Sequence, residues 1–145
     1  AGNIWGWPVL VIDAGTALTF TGADQNHQLV GGAILPGLGL QLKSLGQKTA
    51  ALPEIEIPAA LPQRFALNTA AAIQSGIIYT VIAGVRDFIS AWWDSYPGSS
   101  ILLTGGDRTH IFTYLQAQAP EVAAKITLEP NLIFWGMHSL TYSAA

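Results

Sequence analysis

Apolar positions along the chain change their period several times, and each change marks an element. Residues 8–12, Pro-Val-Leu-Val-Ile, form a continuous apolar run rich in β-branched side chains, which predicts a buried strand. Residues 16–21 predict a second strand, Gly22-Ala-Asp-Gln-Asn26 has turn composition, and residues 28–35 predict a third strand. Together they read as an antiparallel meander. Pro36-Gly37 stops the third strand, and Leu38, Leu42 and Leu45 then recur at helical spacing, predicting a helix to about residue 50 with Pro36 at its opening. Residues 52–67 hold Pro53, Pro58 and Pro62 and read as an irregular connector. Asn68 is placed to cap a long helix. In it Ile73, Ile77, Val81, Val85 and Ile89 step by four, with Ile78, Ile82, Phe88 and Trp92 beside them. So broad a stripe predicts a central helix, ended by Pro97-Gly98. A short strand (100–103), a turn (104–107), a helix (109–118) followed by Pro120, a short strand (125–128) and a last helix (131–142) complete the pattern.

The predicted order is βββ-α-α-β-α-β-α. A meander followed by β-α-β connections implies an α/β fold, with a mixed sheet and helices on its faces. A chain of 145 residues suits one domain, residues 1–145, large enough to bury roughly 68–70% of its unfolded surface. The apolar stretch 73–93 is interrupted by Gln74, Ser75, Arg86 and Asp87, so it reads as a buried amphipathic helix rather than a membrane span. The opening Ala1-Gly-Asn-Ile-Trp-Gly-Trp-Pro8 lacks an initiator Met and enters a strand within a few residues. The expectation is a piece of a longer polypeptide.

Composition sharpens this. Hydrophobic residues make up 50% and charged residues 10%, against about 25% charged in a typical soluble domain. So little charge implies that part of the surface faces another subunit or another piece of protein. The net charge is −3 and the 6 Lys and Arg do not cluster, which argues against nucleic acid as a main partner. Cysteine is absent, which excludes disulfides and thiolate metal sites and is compatible with a cytoplasmic setting.

Four short motifs carry candidate chemistry. Asp13-Ala-Gly-Thr16 places a carboxylate at the end of a buried strand. It is either a tight turn or a phosphate loop. In the second reading the N–H groups of Gly15 and Thr16 and the Thr16 hydroxyl donate to phosphate, and Asp13 holds a cation or its water. Gly31-Gly-Ala-Ile-Leu-Pro-Gly37 reads first as a bulge and a helix start. Asn68-Thr69 reads first as a helix cap, with ligand binding at the helix N-terminus as the alternative. Thr104-Gly-Gly-Asp107 is either a plain strand-to-helix turn or an open backbone edge for a base or ribose, with Asp107 accepting from hydroxyls. His27 reads as a turn residue and His138 as a helix-face residue. For His110, after the Gly-Gly-Asp turn, a structural role outweighs ligand contact. None of the three has a partner at metal-ligand spacing. Nucleophile-elbow, P-loop and dinucleotide patterns are absent.

The order of the motifs is more specific than any one of them. Asp13, Gly15, Thr16, Ala17 and Thr19; Gly31, Gly32, Ile34, Pro36 and Gly37; Asn68, Thr69, Ala72 and Gly76; and residues 104–107 together resemble the second half of a bacterial type III pantothenate kinase. That family belongs to the acetate kinase/sugar kinase/Hsp70/actin superfamily. The resemblance runs from about Val9 to Leu140. It implies a ribonuclease-H-like (actin-like ATPase) domain and ATP-dependent phosphorylation of pantothenate, the first step of coenzyme A synthesis. It implies Mg2+ and a monovalent cation, potassium or ammonium, as activators, and a cytoplasmic homodimer. By the same resemblance Asp13, Gly15 and Thr16 bind phosphate, with Asp13 also at a metal. Gly105, Gly106 and Asp107 lie on the adenosine side, and Thr69 approaches pantothenate.

The family's first half carries an Asp-x-Gly-Asn-Thr loop and a Gly-x-Asp-Arg motif whose aspartate is the catalytic base. Neither is present. Gly105-Gly-Asp-Arg108 has similar letters but falls at the adenosine loop. The expectation is therefore a chain inactive by itself, completed by an N-terminal half of the same polypeptide. The alternatives are another phosphotransferase of the superfamily and a noncatalytic dimerisation module. A nucleic-acid enzyme of ribonuclease-H type needs clustered carboxylates, and only Asp13, Asp24 and Asp107 offer themselves.

Overall fold

The computed structural model describes residues 1–48 and 54–143. Its elements are α1 (Gly2–Trp5), β1 (Val9–Ala14), β2 (Ala17–Ala23), β3 (Leu29–Pro36), α2 (Leu38–Lys48), α3 (Thr69–Ser95), β4 (Ser100–Thr104), α4 (Arg108–Gln118), α5 (Pro120–Ala123), β5 (Ile126–Leu128) and α6 (Leu132–Ser143). The strands form one sheet in the order β3-β2-β1-β4-β5. β2 is antiparallel to β1 and β3, whereas β1, β4 and β5 run parallel. This mixed sheet is ribonuclease-H-like.

The sheet centres on β1, whose apolar run is buried on both faces, as its continuous hydrophobicity requires. Leu10, Ile12 and Ala14 point into the main core beneath α2, α3 and α4. There α3 contributes Ile77, Ile78, Val81, Ile82, Val85, Ile89 and Trp92, most of the predicted stripe; Ile73 is only partly buried and Phe88 is 43% exposed. By length and apolarity α3 would suffice to cross a membrane, but this stripe is spent on the sheet. Asn68 caps it, its side chain accepting from the Ala71 N–H at 2.9 Å. The opposite face holds a smaller cluster of Val9, Leu102 and Leu132, flanked by Trp5, Trp7 and Val11.

Several expectations shift. Pro36 closes β3 opposite Ala17 instead of opening α2. An edge strand accepts proline because one side of it needs no donor. The bulge lies where the glycines suggested. Gly22 pairs with Gly31 and Ala23 with Leu29, so Val30 is the extra residue. Two one-turn helices, α1 and α5, were not predicted. Pro120 opens α5 rather than merely following α4. β1 runs two residues further than predicted and takes in Asp13. The predicted end of α2 near residue 50, and Leu52 and Pro53 of the connector, lie outside the described residues.

The last helix departs most from what its composition demands. Leu132 is buried, but Ile133, Phe134, Trp135, Met137 and Leu140 are 46–74% exposed. A helix of 12 residues is marginal without packing, so an apolar face left in water calls for a partner.

Candidate functional site

Three loops meet where the parallel strands β1 and β4 end, the side of an open α/β sheet where ligands bind. Asp13 occupies the last turn-facing position of β1, half-buried, with Thr19 of β2 and Thr104 of β4 as its cross-strand neighbours. Alternation turns its carboxylate away from Ile12 and Ala14, towards the less covered face of the sheet. Among the described residues no hydrogen-bond donor is shown on that carboxylate, so its oxygens remain available.

The Thr104-Gly-Gly-Asp loop is fastened to the end of β1. The Asp107 N–H donates to the Ala14 carbonyl at 2.8 Å. Gly105 takes φ +93°, and a Cβ there would stand 2.4 Å from the Ala14 oxygen and 2.5 Å from Asp13 Oδ1. Both the left-handed backbone and the close approach require glycine. Arg108 Nη1 donates back to the Gly105 carbonyl at 2.9 Å, closing the loop. Gly106 has open space around it and is exposed.

The third loop is the β3–α2 junction. Gly37 N–H donates to the Thr16 carbonyl at 2.7 Å, and a Cβ on Gly37 would stand 2.0 Å from the Gly15 oxygen. Gly37 thus seats α2 directly on the backbone of the Asp13-Ala-Gly-Thr loop. One expected donor is spent: the Gly15 N–H bonds the Ala17 carbonyl at 3.0 Å, closing the β1–β2 turn. The donors this loop can still offer are those of exposed Thr16.

The structure therefore brings Asp13, Gly15, Thr16, Gly105, Gly106 and Asp107 into one place. It does not link Thr69 to them. Thr69 is exposed at the start of α3, and no described hydrogen bond joins it to the loops. His27 is a turn residue with φ 64°, stacked on Trp7 at 4.5 Å, and His138 lies on α6.

Sequence reasoning missed what stands beside Asp107. Asp107 precedes α4 but makes no side-chain capping bond. Its Oδ1 lies 3.9 Å from Nδ1 of His110, a buried nitrogen that has no hydrogen-bond partner among the described residues. Tyr114 lies one turn below, fully buried, its hydroxyl donating to the Pro58 carbonyl. Burial, and secondarily the negative charge of Asp107, push the Tyr114 phenol up to about 12. The spacing 107, 110, 114 is that of one helix face, a signal present in the sequence.

A cation fits here only in company. Among the described residues no three His, Cys, Asp or Glu side chains gather into a metal cage. A single free carboxylate such as Asp13 suits Mg2+, which commonly keeps its waters and binds one or two carboxylates plus substrate phosphates.

The family model described as type III pantothenate kinase matches residues 3–91. A Nostoc sp. protein named type III pantothenate kinase is 58% identical, aligned over 100% of this chain and 53% of its own length. One from Synechococcus sp. with the same name is 49% identical over 94% of this chain and 55% of its own. The chain thus spans about half the length of the curated relatives it matches. Among solved structures, a conserved Campylobacter jejuni protein assigned to the Baf family of transcriptional activators superposes with a TM-score of 0.63 at 21% identity. That superposition covers 94% of this chain and 58% of that one, and the likeness is one of fold.

Proposed function

The chain belongs to the type III pantothenate kinase family, and from that premise we propose that it forms the second half of the cleft in which ATP phosphorylates pantothenate. The observation that carries this reading is the convergence of three loops at the end of β1, with glycine at both close approaches, Gly105 against the Asp13 carboxylate and Gly37 against the Gly15 carbonyl.

In the reaction the pantothenate hydroxyl oxygen attacks the γ-phosphorus of ATP. The bond to ADP breaks, and the hydroxyl proton passes to a base. The protein's task is positioning and charge stabilisation from both sides of the phosphates. On this side Thr16 donates to phosphate oxygens, and Asp13 would hold Mg2+ or its water. The Gly105-Gly106 edge carries the adenosine, with Asp107 accepting from ribose hydroxyls. Bound Mg2+ and a monovalent cation, potassium or ammonium, neutralise phosphate charge. Thr69 approaches pantothenate, an assignment resting on family resemblance alone. The base is expected in an N-terminal half, so the 145 residues form one domain of two and are inactive alone.

The exposed apolar face of α6 supports this two-part reading, as does the 10% charge content. A homodimer would use further surface of the same kind, and a cytoplasmic setting fits a chain without cysteine.

Two measurements on the complete polypeptide test the reading. ATP should raise the melting temperature, whereas a noncatalytic dimerisation module gives no shift. Pantothenate should outcompete sugars and acetate as phosphoryl acceptor, and the reverse order would mark another phosphotransferase of the superfamily.

A further inference from the structure

The pair Asp107–His110 has a feature that the assigned roles leave unexplained. A buried ring nitrogen without a partner is costly, and such atoms need a reason. Its charged neighbour, Asp107 Oδ1, is 3.9 Å away, beyond a hydrogen bond. The backbone of Asp107 cannot drift to close the gap freely, because its N–H is fixed to the Ala14 carbonyl. Its side chain makes no capping bond. The other neighbours are committed: the Tyr114 hydroxyl donates to Pro58, and Arg108 Nη1 to Gly105.

We propose that His110 is a positioning residue for Asp107. In its Nδ1–H tautomer it donates to one carboxylate oxygen when a nucleotide ribose fills the loop, which leaves the other oxygen aimed at the ribose hydroxyls. A small side-chain rotation of Asp107 makes the bond, satisfies the orphaned nitrogen and fixes the direction of the remaining acceptor. A site that hydrogen-bonds a substrate hydroxyl in this way rejects the analogue lacking it. The inference rests on the adenosine-side reading of Asp107 and extends it to a residue that touches no ligand.

The test compares ATP with 2′,3′-dideoxy-ATP on the complete polypeptide, measuring KM and kcat for each. The unaltered enzyme should prefer ATP by about tenfold or more, the range of one hydrogen bond to a charged group. His110→Ala should bring that ratio close to one, raising KM for ATP while kcat stays within about twofold. His110→Asn, which carries an N–H donor near the place of Nδ1, should keep most of the preference. If His110→Ala melts early, His110→Leu, which retains volume, replaces it. A His110→Ala ratio equal to that of the unaltered enzyme overturns the inference, as does equal weakening of both nucleotides. Asp107→Ala, which removes the acceptor, separates the two levels. Loss of the ratio with Asp107→Ala but not with His110→Ala overturns the role of His110 alone. Retention of the ratio with Asp107→Ala, or no preference in the unaltered enzyme, overturns the adenosine-side reading and the inference with it.

Discussion

The Cα of Gly105 lies against the carboxylate of Asp13: a methyl group added to Gly105 would stand 2.5 Å from Asp13 Oδ1. Two loops about ninety residues apart in sequence are thereby held edge to edge, one carrying the candidate phosphate and cation groups, the other the candidate adenosine edge. Gly105→Ala should cost about 1–3 kcal/mol of stability, from the added atom and the left-handed backbone together. It should also lower turnover of the complete polypeptide by displacing Asp13. Urea unfolding beside a kinase assay checks both.

The Asp13 side chain contributes no hydrogen bond among the described residues, although its backbone is paired in the sheet. Asp13→Asn should therefore reduce turnover by about 100-fold or more, as loss of a charge-organising group at a reacting phosphate does, and leave the melting temperature within a few degrees. Loss of stability in proportion to activity would favour a turn without chemistry.

Asn68 and Thr69 should separate cleanly. Asn68→Ala removes a cap and should cost about 1 kcal/mol of stability. Thr69→Ala should spare stability and raise the KM for pantothenate. Denaturant midpoints and substrate titrations distinguish them.

Tyr114 gives a pH dependence. Its phenol is raised from 10.0 to about 12 in the folded chain. The contribution is therefore fully present below pH 10, where the phenol stays protonated folded or unfolded. It is lost as the pH rises from 10 through about 12, because the unfolded chain ionises first. Tyr114→Phe should lack that alkaline loss while being less stable at neutral pH by about 1 kcal/mol, the worth of its bond to Pro58. Melting temperatures across the alkaline range, with tyrosinate absorbance, check it.

The α6 face predicts association. Phe134→Asp with Met137→Asp should leave the isolated chain folded, since both side chains are exposed, and should weaken its binding to a separately produced N-terminal half of the family. Titration calorimetry against that half reads the difference.

Most of the sheet was legible because its signals are local. The run from Val9 to Ile12 states a buried strand, and the four-residue step of Ile77, Val81, Val85 and Ile89 states a core helix. Pro36 was misplaced because proline serves an edge strand as well as a helix start, and only the pairing with Ala17 decides. The Asp13 loop was legible as a candidate. The loss of the Gly15 N–H to Ala17 was not, since it depends on how tightly the turn closes. The meeting of Gly37 and Gly105 with that loop is a contact between distant segments, which no local pattern encodes. His110 was undervalued because its significance lies in a missing partner, visible only once the surrounding atoms are placed.

The most direct measurement is pantothenate-dependent release of ADP by the complete polypeptide, with the 145-residue chain assayed beside it under Mg2+ and potassium. The split-cleft account predicts turnover by the complete polypeptide and none by the chain alone. Turnover by the isolated chain, or none by the complete polypeptide, would contradict it.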